Sequence, residues 1–376
     1  MKTAGIYIHF PFCENRCIYC DYYSIEKQEN DIGYFVKMLC QEIDLTAKNH
    51  KHDWQFDTIY FGGGSPALLS PNDIKYVLNK LKNHFNISEN IELTLEVNPG
   101  ETNKEQLYLF KELGINRLSI GFQSLDSEFL KTLSRIHNPD DCFTIYNDAR
   151  DAGFDNISID MMYNIPGQTI CKWLDNLKTL IKLNCDHIAI FSLTLEKGTP
   201  FYNQVRLDKM DLPNFHTEEE MFTRGSQFLT DNIFTQYEVA HFTKLDKECL
   251  HNQHYWKLDP YLAFGPSANG YDGSRRWWNV SSLEDYYSKL SSNKKPVAGS
   301  ETLNYSDRFN EAVIYGLRTK NGILTEKLQE FEYKGSLESS LKKWGDHLYI
   351  SKEAICIKPG HFHLADEIST DMLLPD

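Results

Sequence analysis

The sequence lacks both a long apolar run and an excess of basic charge. Its 376 residues include 39 Lys and Arg against 53 Asp and Glu, a formal net charge of −14. Proteins that wrap nucleic acid usually present a basic face to displace counterions, so this composition argues against nucleic-acid binding. No stretch approaches the roughly 20 apolar residues that span a bilayer, and the N-terminus lacks the apolar core and cleavage site of a signal peptide. These absences predict a cytoplasmic protein.

Paired cysteines are absent from most of the chain. Six of the nine cysteines stand singly, mostly among apolar neighbours, where buried reduced thiols act as small hydrophobic side chains. These six are Cys40, Cys142, Cys171, Cys185, Cys249 and Cys356. The other three, Cys13, Cys17 and Cys20, fall within the eight residues CENRCIYC. Thiolates at this spacing in a reducing compartment usually hold a metal.

The first half of the chain alternates short strands with helical stretches. The segments that read as strands are 5–10, 57–61, 91–97, 117–122, 157–163 and 187–193. Ser70 as N-cap followed by Pro71 predicts the start of one intervening helix. Thr102 and Glu105 predict a capping box for the next helix, which should stop at Gly114. This alternation favours βαβ units around a parallel sheet and an α/β fold.

Polar residues recur at alternate positions within these strands. They are Tyr7, His9, Glu92, Thr94, Glu96, Arg117, Ser119, Gln123, Ser158 and Asp160. Since successive side chains point to opposite faces of a strand, one face is apolar and the other polar. A parallel strand buried on both faces would instead be continuously apolar. We therefore expect a barrel or half-barrel whose polar lumen holds a ligand, with an open sheet as the alternative.

The sequence predicts three regions. Residues 1–200 should form a partial barrel, and 201–300 an extension of it with the aromatic-rich segments YEVAHF, HNQHYWKLDPYLAFG and RRWWNV. Residues 301–376 should form a small, mainly helical, winged-helix-like domain with a terminal hairpin. The stretch SSNKKPVAGS, whose composition suits a loop, predicts a linker near residue 300.

The cysteine cluster has the spacing C-x3-C-x2-C and no obvious fourth ligand. A closed structural zinc site needs four ligands, usually from two separate knuckles, and no second knuckle is visible. His9, Cys40 or His137 could complete such a site, so a zinc-stabilised binding protein stays open as an alternative. Three cysteines on a four-iron cluster would instead leave one iron without a protein ligand. We favour this second interpretation, in which a small molecule supplies the missing ligand.

The motif resembles that of the radical S-adenosylmethionine (SAM) superfamily. YIHFPFCENRCIYCDY, YFGGGSPALLS, LEVNP, RLSIGFQS, LSRIHN, IDMMYNIPGQT and LTLEKGTPFY are similar, in order, to segments of the anaerobic coproporphyrinogen III oxidase-like family. YEVAHF, HNQHYW and LAFGPSANGY resemble its haem-chaperone branch, HemW. The resemblance implies a partial (β/α)6 barrel and a [4Fe-4S] cluster on Cys13, Cys17 and Cys20. In this superfamily, SAM binds the open iron through its amino and carboxylate groups and is cleaved to a 5′-deoxyadenosyl radical.

The same resemblance implies a set of SAM-binding residues. They are Tyr7, Tyr19, Gly63, Gly64, Ser65, Glu96, Gln123, Arg135 and Asp160. The two glycines would let the backbone approach the SAM ammonium, and the guanidinium of Arg135 suits the SAM carboxylate. Their alternative roles are core packing for Tyr7, lumen or cap contacts for the carboxylates, and a surface charge for Arg135.

One departure from the family pattern bears on function. Oxidases carry a further cysteine two residues after the third, and here that position is Tyr22. This favours the haem-chaperone branch, which implies haem as cargo, haemoprotein acceptors, an external electron donor and, for a respiratory acceptor, peripheral contact with a membrane. His251 is the candidate haem ligand, with His254 the weaker choice. Oxidative decarboxylation of coproporphyrinogen III to protoporphyrinogen IX remains the alternative activity.

Overall fold

The computed structural model of the chain describes residues 2–27, 31–48, 50, 53–207, 209–329, 331 and 336–375. Its strands are β1 (Lys2–Phe10), β2 (Phe12–Cys13), β3 (Ile25–Glu26), β4 (Trp54–Gly63), β5 (Ile87–Val97), β6 (Arg117–Gln123), β7 (Ile157–Tyr163), β8 (His187–Ser192), β9 (Thr235–Glu238), β10 (His241–Thr243), β11 (Tyr261–Phe264), β12 (Asn269–Tyr271), β13 (Arg275–Asn279), β14 (Val297–Thr302), β15 (Ile323–Leu324), β16 (Leu348–Ile350) and β17 (Ala354–Ile357). Its α-helices are α1 (Asp31–Ala47), α2 (Pro71–His84), α3 (Lys104–Glu112), α4 (Ser127–Thr132), α5 (Pro139–Asp151), α6 (Ile170–Leu183), α7 (Pro200–Arg206), α8 (Phe215–Asp231), α9 (Leu250–Lys257), α10 (Leu283–Ser291), α11 (Tyr305–Leu317), α12 (Thr325–Gln329), α13 (Ser336–Trp344) and α14 (Ala365–Met372).

One large sheet organises the chain. Its strand order is β14-β13-β12-β11-β1-β4-β5-β6-β7-β8-β10-β9. The strands from β11 through β8 in this order pair in parallel, and the strands at both ends are antiparallel. The six predicted strands correspond to β1, β4, β5, β6, β7 and β8, which confirms the parallel α/β core. Pairing of β11 with β1 joins the region after residue 200 to this core.

Helix starts show which local signals were correct. Ser70 caps α2 in a capping box with Asp73, as its position before Pro71 predicts. The predicted capping box at Thr102 is wrong: the cap of α3 is Asn103, whose side chain accepts a hydrogen bond from the backbone N–H of Gln106. An Asn side chain is a strong N-cap because its oxygen reaches a free N–H of the first turn.

The predicted linker at 291–300 is also wrong over its second half. Residues 297–302 form β14, which pairs with β13. Gly299 opposes Trp278, and a Cβ atom at Gly299 would lie 2.5 Å from the indole ring. The glycine that suggested a flexible connection therefore gives room for a tryptophan in the sheet.

The C-terminal region contains α11–α14 and a three-stranded sheet with the order β15-β17-β16. The predicted hairpin exists as β16 and β17, but α14 follows it, so the hairpin is not terminal. Within the predicted domain 301–376, residues 330, 332–335 and 376 lie outside those that the structure describes. The division into 1–200, 201–300 and 301–376 stays a prediction.

A buried carboxyl joins α1 to the far end of the sheet. Glu42 Oε2 accepts hydrogen bonds from the backbone N–H of Gly265 at 2.8 Å and from the Tyr286 hydroxyl at 2.7 Å. Its Oε1 accepts from Asn279 Nδ2 at 2.6 Å. Burial raises the pKa of Glu42 to about 7, while these three donors act in the opposite direction. Glu42 thus connects α1 to the turn after β11, to β13 and to α10.

Glu42→Ala should lower the free energy of unfolding by about 3 kcal/mol, because three buried donors lose their acceptor and a cavity opens. Urea unfolding followed by circular dichroism measures the change. The control is Glu112→Ala, at an exposed position on α3, which should change stability by about 0.5 kcal/mol or less. Equal effects of the two variants would show that Glu42 does not hold these elements together.

Candidate functional site

A cavity of about 920 Å³ runs along the polar face of the parallel strands and includes their carboxyl ends. Its strand residues include Tyr7 and His9 of β1, Tyr60 of β4, Glu96 of β5, Ser119 and Gln123 of β6, and Ser158 and Asp160 of β7. Strand alternation predicted this polar face correctly. Ligands of parallel α/β sheets commonly bind at the carboxyl ends of strands, because side chains from several strands converge there.

His254, the weaker candidate for haem, does not line this cavity, but thirteen other residues predicted for the site do. They are Cys13, Cys17, Cys20, Tyr7, Tyr19, Gly63, Gly64, Ser65, Glu96, Gln123, Arg135, Asp160 and His251. Residues up to 244 positions apart in the sequence, Tyr7 and His251, therefore meet around a single space. Their individual roles stay predictions, and the local geometry of each group bears on them.

The three cysteines lie on the segment that follows β1. Cys13 ends β2, and Cys17 and Cys20 share a turn in which the backbone N–H of Cys20 donates to the carbonyl of Cys17 at 3.2 Å. All three are half-buried free thiols. Burial raises the pKa of Cys13 to about 11 and also raises that of Cys20. Metal binding at this site must therefore displace thiol protons.

Of the three residues considered as a fourth protein ligand, His9 and Cys40 are held by other contacts, and His137 is bound through one ring nitrogen only. His9 Nε2 lies 2.8 Å from the carbonyl of Tyr23, and His137 Nε2 lies 3.2 Å from the carbonyl of Phe122. Cys40 is buried in the hydrophobic core on α1. His9 and Cys40 therefore do not complete a zinc site, and the arrangement fits the predicted three-cysteine site.

The glycine loop packs against the segment that leads to the first cysteine. The backbone N–H of Gly64 donates to the Phe10 carbonyl at 2.6 Å, and a Cβ atom on Gly64 would lie 2.5 Å from the Phe12 carbonyl oxygen. Gly63 has φ +107°, a conformation that strongly favours glycine. The close backbone contact with this segment is therefore one reason for glycine here, in addition to the predicted approach to a ligand.

Arg135 stands at the edge of a polar network beside the cysteines. Its Nη1 donates to Asn98 Oδ1 at 2.8 Å, and Asn98 Nδ2 donates to Ser65 Oγ at 3.1 Å. Ser65 in turn donates to Glu101 at 2.9 Å. Arg135 Nε is shielded from solvent and has no hydrogen-bond partner among the described residues. A buried, unpaired donor on a permanent cation fits an anionic ligand group, such as the carboxylate of SAM.

Two carboxyl groups face the cavity from β5 and β7, the strands on either side of β6. Glu96 accepts hydrogen bonds from the Tyr60 hydroxyl at 2.8 Å and from the Gly63 N–H at 3.2 Å. Burial raises the pKa of Glu96 to about 7, and the charge of Asp160 acts in the same direction. Burial also raises the pKa of Asp160, which accepts from Ser119 at 3.0 Å. Such acceptors suit the hydroxyl groups of a ribose.

Glu96→Gln should flatten the pH dependence of stability. Because the folded pKa of Glu96 lies near 7, above its ordinary 4.5, the folded chain binds more protons than the unfolded chain between these values. The contribution of Glu96 is fully present below pH 4.5 and is lost as the pH rises through 7, by at most about 1 kcal/mol per pH unit. Denaturant unfolding from pH 5 to 8 measures it, with Glu112→Gln as the surface control. An unchanged slope in Glu96→Gln would contradict this assignment.

Glu92 places helix α9 across the polar face. Its two oxygens accept hydrogen bonds from the backbone N–H groups of Leu250, at 3.0 Å, and His251, at 2.9 Å. A carboxylate at a helix N-terminus satisfies free N–H groups and interacts favourably with the helix dipole. The first turn of α9 is thereby fixed against β5.

His251 lines the cavity, but its ring is held inside the protein. Nδ1 lies 2.8 Å from the Thr58 hydroxyl, Nε2 lies 2.9 Å from the Tyr255 hydroxyl, and the residue is 1% exposed. Coordination of iron would require one of these nitrogens to lose its partner. The predicted role of His251 as a haem ligand is therefore disfavoured by this geometry.

His254 has a structural role at the outer side of the same helix. Its ring nitrogens lie 2.7 Å from Asp57 and 3.2 Å from Asp259. Burial alone would lower the pKa of His254, but hydrogen bonds and charge from these carboxylates raise it to about 9. The protonated ring ties α9 to β4, and His254 is not part of the cavity lining.

Sequence reasoning missed several residues of the site. Asn98 and Glu101 follow β5 in a turn, and nothing in their spacing marks them as partners of Ser65 or Arg135. Strand alternation predicts that Arg117 lies on the polar face but indicates no ligand for it, and its buried Nε has no partner among the described residues. The contacts of Asn98 and Glu101 with Ser65 and Arg135 join residues that are far apart in the sequence, so local patterns do not reveal them.

Comparison with known proteins gives the class of this site. The Radical SAM superfamily profile matches residues 7–180, which contain the three cysteines and the residues expected to bind SAM. Fold and site together define a radical SAM protein. The Bacillus subtilis protein named heme chaperone HemW is 33% identical over 340 residues, covering 90% of this chain and 88% of its own length. The chain belongs to the HemW family.

Other relatives agree with this placement. HemW of Haemophilus influenzae is 35% identical over 72% of this chain and 70% of its own. The zebrafish protein named radical S-adenosyl methionine domain-containing protein 1, mitochondrial, is 30% identical over 90% and 78% of the two chains. Membership in the radical SAM superfamily implies a [4Fe-4S] cluster and SAM as cofactors.

A solved structure confirms the predicted fold. The coproporphyrinogen III oxidase HemN from Escherichia coli superimposes with a TM-score of 0.85 at 21% identity, covering 98% of this chain and 90% of that chain. At this identity the similarity concerns the fold alone. None of the helices within the described ranges has both the length and the apolar character needed to cross a bilayer.

Proposed function

We propose that this chain binds haem and delivers it to haemoproteins, using a [4Fe-4S] cluster and SAM as cofactors. The observation that carries the proposal is the sequence relationship to proteins named heme chaperone HemW, which extends over 90% of the chain in the B. subtilis case. Cys13, Cys17 and Cys20 would hold the cluster. The proposal places the chain in the cytoplasm, with an external electron donor and, for a respiratory acceptor, peripheral contact with a membrane.

The same proposal assigns the polar residues of the cavity to SAM. Arg135 would bind its carboxylate, Glu96 and Asp160 its ribose, and the glycine loop its ammonium group. When bound, the cluster and SAM supply one-electron chemistry, whose organic steps belong to the cofactors. The contribution of the chain is to position these groups and to shield them from water.

The apolar rim of the cavity supports a large planar cargo. Tyr22, Ile136 and Phe191 line the cavity, yet their exposed fractions are 66%, 61% and 40%. Exposed apolar side chains around a pocket commonly mark a binding site, because their burial by a ligand removes apolar area from water. A porphyrin presents two apolar faces to such a rim.

The function is tested by adding haem to the reconstituted protein, with and without SAM, and then offering an apo-haemoprotein. We expect a stoichiometric haem absorption band and transfer of haem to the acceptor. Absence of haem binding would overturn the proposal. Formation of protoporphyrinogen from coproporphyrinogen III under anaerobic conditions would instead establish the oxidase activity.

Ile136→Asp and Phe191→Asp should each weaken haem binding about tenfold, because each places a charge against an apolar face and removes roughly 1–2 kcal/mol of apolar burial. Leu324→Asp is the control: Leu324 is also 40% exposed but does not line the cavity. Haem affinity is measured by absorption titration. Equal affinity of all three variants and the wild type would show that the cargo does not contact this rim.

A further inference from the structure

His241 lies on β10 and lines the same cavity as the predicted site residues. Its Nδ1 is 2.6 Å from Glu238 Oε2. A carboxylate can only accept a hydrogen bond, so Nδ1 of the imidazole carries the hydrogen. In the neutral ring the lone pair is then on Nε2, the nitrogen that is free to bind a ligand.

Glu238 is itself held in place. It is buried, and its Oε1 accepts from Arg318 Nε at 2.9 Å while Oε2 accepts from the backbone N–H of Ala240 at 2.7 Å. Burial opposes ionisation of Glu238, but His241 and Arg318 together lower its pKa. Histidines that bind metals commonly donate their second N–H to a carboxylate in this manner, which fixes the tautomer and the ring orientation.

Nε2 of His241 has only a weak contact with the protein. Its recorded polar neighbour, Asn252 Nδ2, is 3.5 Å away, at the limit of a hydrogen bond. Two other cavity histidines, His187 and His251, are different. Both ring nitrogens of His187 lie 2.8 Å from hydroxyl groups, and both nitrogens of His251 are similarly held. His241 thus combines an oriented ring with an available lone pair.

Aromatic side chains surround this imidazole. The ring centroid of His241 is 5.2 Å from that of Trp256 and 5.8 Å from that of Phe191, and both neighbours line the cavity. Such walls suit a flat apolar ligand. They include Phe191, one of the exposed residues of the rim.

The ligand set around His241 determines which metal species would fit. A free divalent ion at Nε2 of His241 would find one imidazole and, as the recorded polar neighbour, only the amide of Asn252 at 3.5 Å, which is too few ligands for a closed site. An iron ion that a porphyrin already holds through four nitrogens needs only an axial ligand, and histidine is a common one. One oriented imidazole in an aromatic pocket is therefore suited to an iron porphyrin.

We propose that Nε2 of His241, oriented by Glu238, is the axial ligand of the haem iron. This inference rests on the proposed function, since it names the residue that binds the cargo. Iron acquires one nitrogen ligand without a change of oxidation state, and the weak Asn252 contact is replaced. Glu238 is a positioning residue that acts through the imidazole.

The test is resonance Raman spectroscopy of ferrous haem bound to the full-length, cluster-reconstituted chain. The wild type should show an iron–imidazole stretching band that shifts when histidine is labelled with ¹⁵N. His241→Ala should lose this band and bind haem at least about tenfold more weakly, and added imidazole should restore the band. His251→Gln should retain it. Glu238→Gln should retain the band at lower frequency, because the ring loses its negatively charged partner.

The outcomes separate this inference from the function on which it rests. If the wild type binds no haem, the proposed function and the ligand assignment both fail. If the wild type binds haem but the band persists unchanged in His241→Ala, only the assignment is overturned. His241→Asn, which retains a polar partner for Glu238, serves if the alanine variant does not fold. An unshifted band in folded Glu238→Gln also counts against the assignment.

Discussion

Replacing Cys17 with serine should leave the reconstituted protein with almost no bound iron and without cluster absorbance. Cys13, Cys17 and Cys20 line one cavity, and two of the considered protein donors, His9 and Cys40, are held by other contacts. Two remaining cysteines cannot anchor a cluster that is ordinarily held by three or four. Iron and sulfide content after anaerobic reconstitution, together with the visible spectrum, measure the loss.

Two controls make this result specific. Cys171→Ser changes an exposed thiol outside the cavity lining and should retain the full iron content. Cys40→Ala removes a buried cysteine that was considered as a fourth ligand, and it should also retain the cluster. A Cys17→Ser protein with wild-type iron content, or a Cys40→Ala protein without iron, would contradict the three-cysteine site.

Arg135→Lys should reduce the affinity for SAM between about ten- and a hundredfold, a loss of roughly 1.4–3 kcal/mol. In the structure Nη1 of Arg135 is bound by Asn98, while the shielded Nε has no partner among the described residues. A guanidinium can bind a carboxylate with two parallel hydrogen bonds, whereas an ammonium acts as a point charge. Lysine would retain the positive charge but lose this geometry.

Equilibrium dialysis of SAM against the reconstituted variant measures this affinity. Iron content must be determined first, since the side chain lies beside the cluster segment. Arg150→Lys is the matched control, because Arg150 binds Tyr146 at 2.9 Å and Asp186 at 2.8 Å and does not line the cavity. Wild-type affinity in Arg135→Lys would show that this guanidinium does not bind the carboxylate.

The polar lumen could be predicted from sequence because strand geometry is local. Alternation in IELTLEV and ISID fixes which side chains share a face, whatever the distant neighbours are. The three-cysteine site could also be predicted from sequence, since the spacing of three and two residues between its cysteines is a local pattern. Both predictions placed residues correctly around one cavity, although the sequence did not show which other residues line it.

Contacts between distant segments could not be predicted in this way. Glu92 caps α9 through the N–H of His251, 159 positions further along the chain. The same helix encloses the ring of His251 against Thr58, and no spacing rule relates these residues. His241 contacts Glu238 within the local pair of β9 and β10, but its position beside the parallel strands that line the cavity depends on β10 pairing with β8.

The central claim is that the polypeptide leaves one iron of the cluster open for SAM. The most direct measurement is electron–nuclear double resonance of the reduced, reconstituted cluster with SAM labelled with ¹⁵N in the amino group and ¹⁷O in the carboxylate. We predict hyperfine coupling from both labels and a change in the cluster signal when SAM is added. A cluster spectrum that SAM leaves unchanged, without coupling to either label, would contradict the claim.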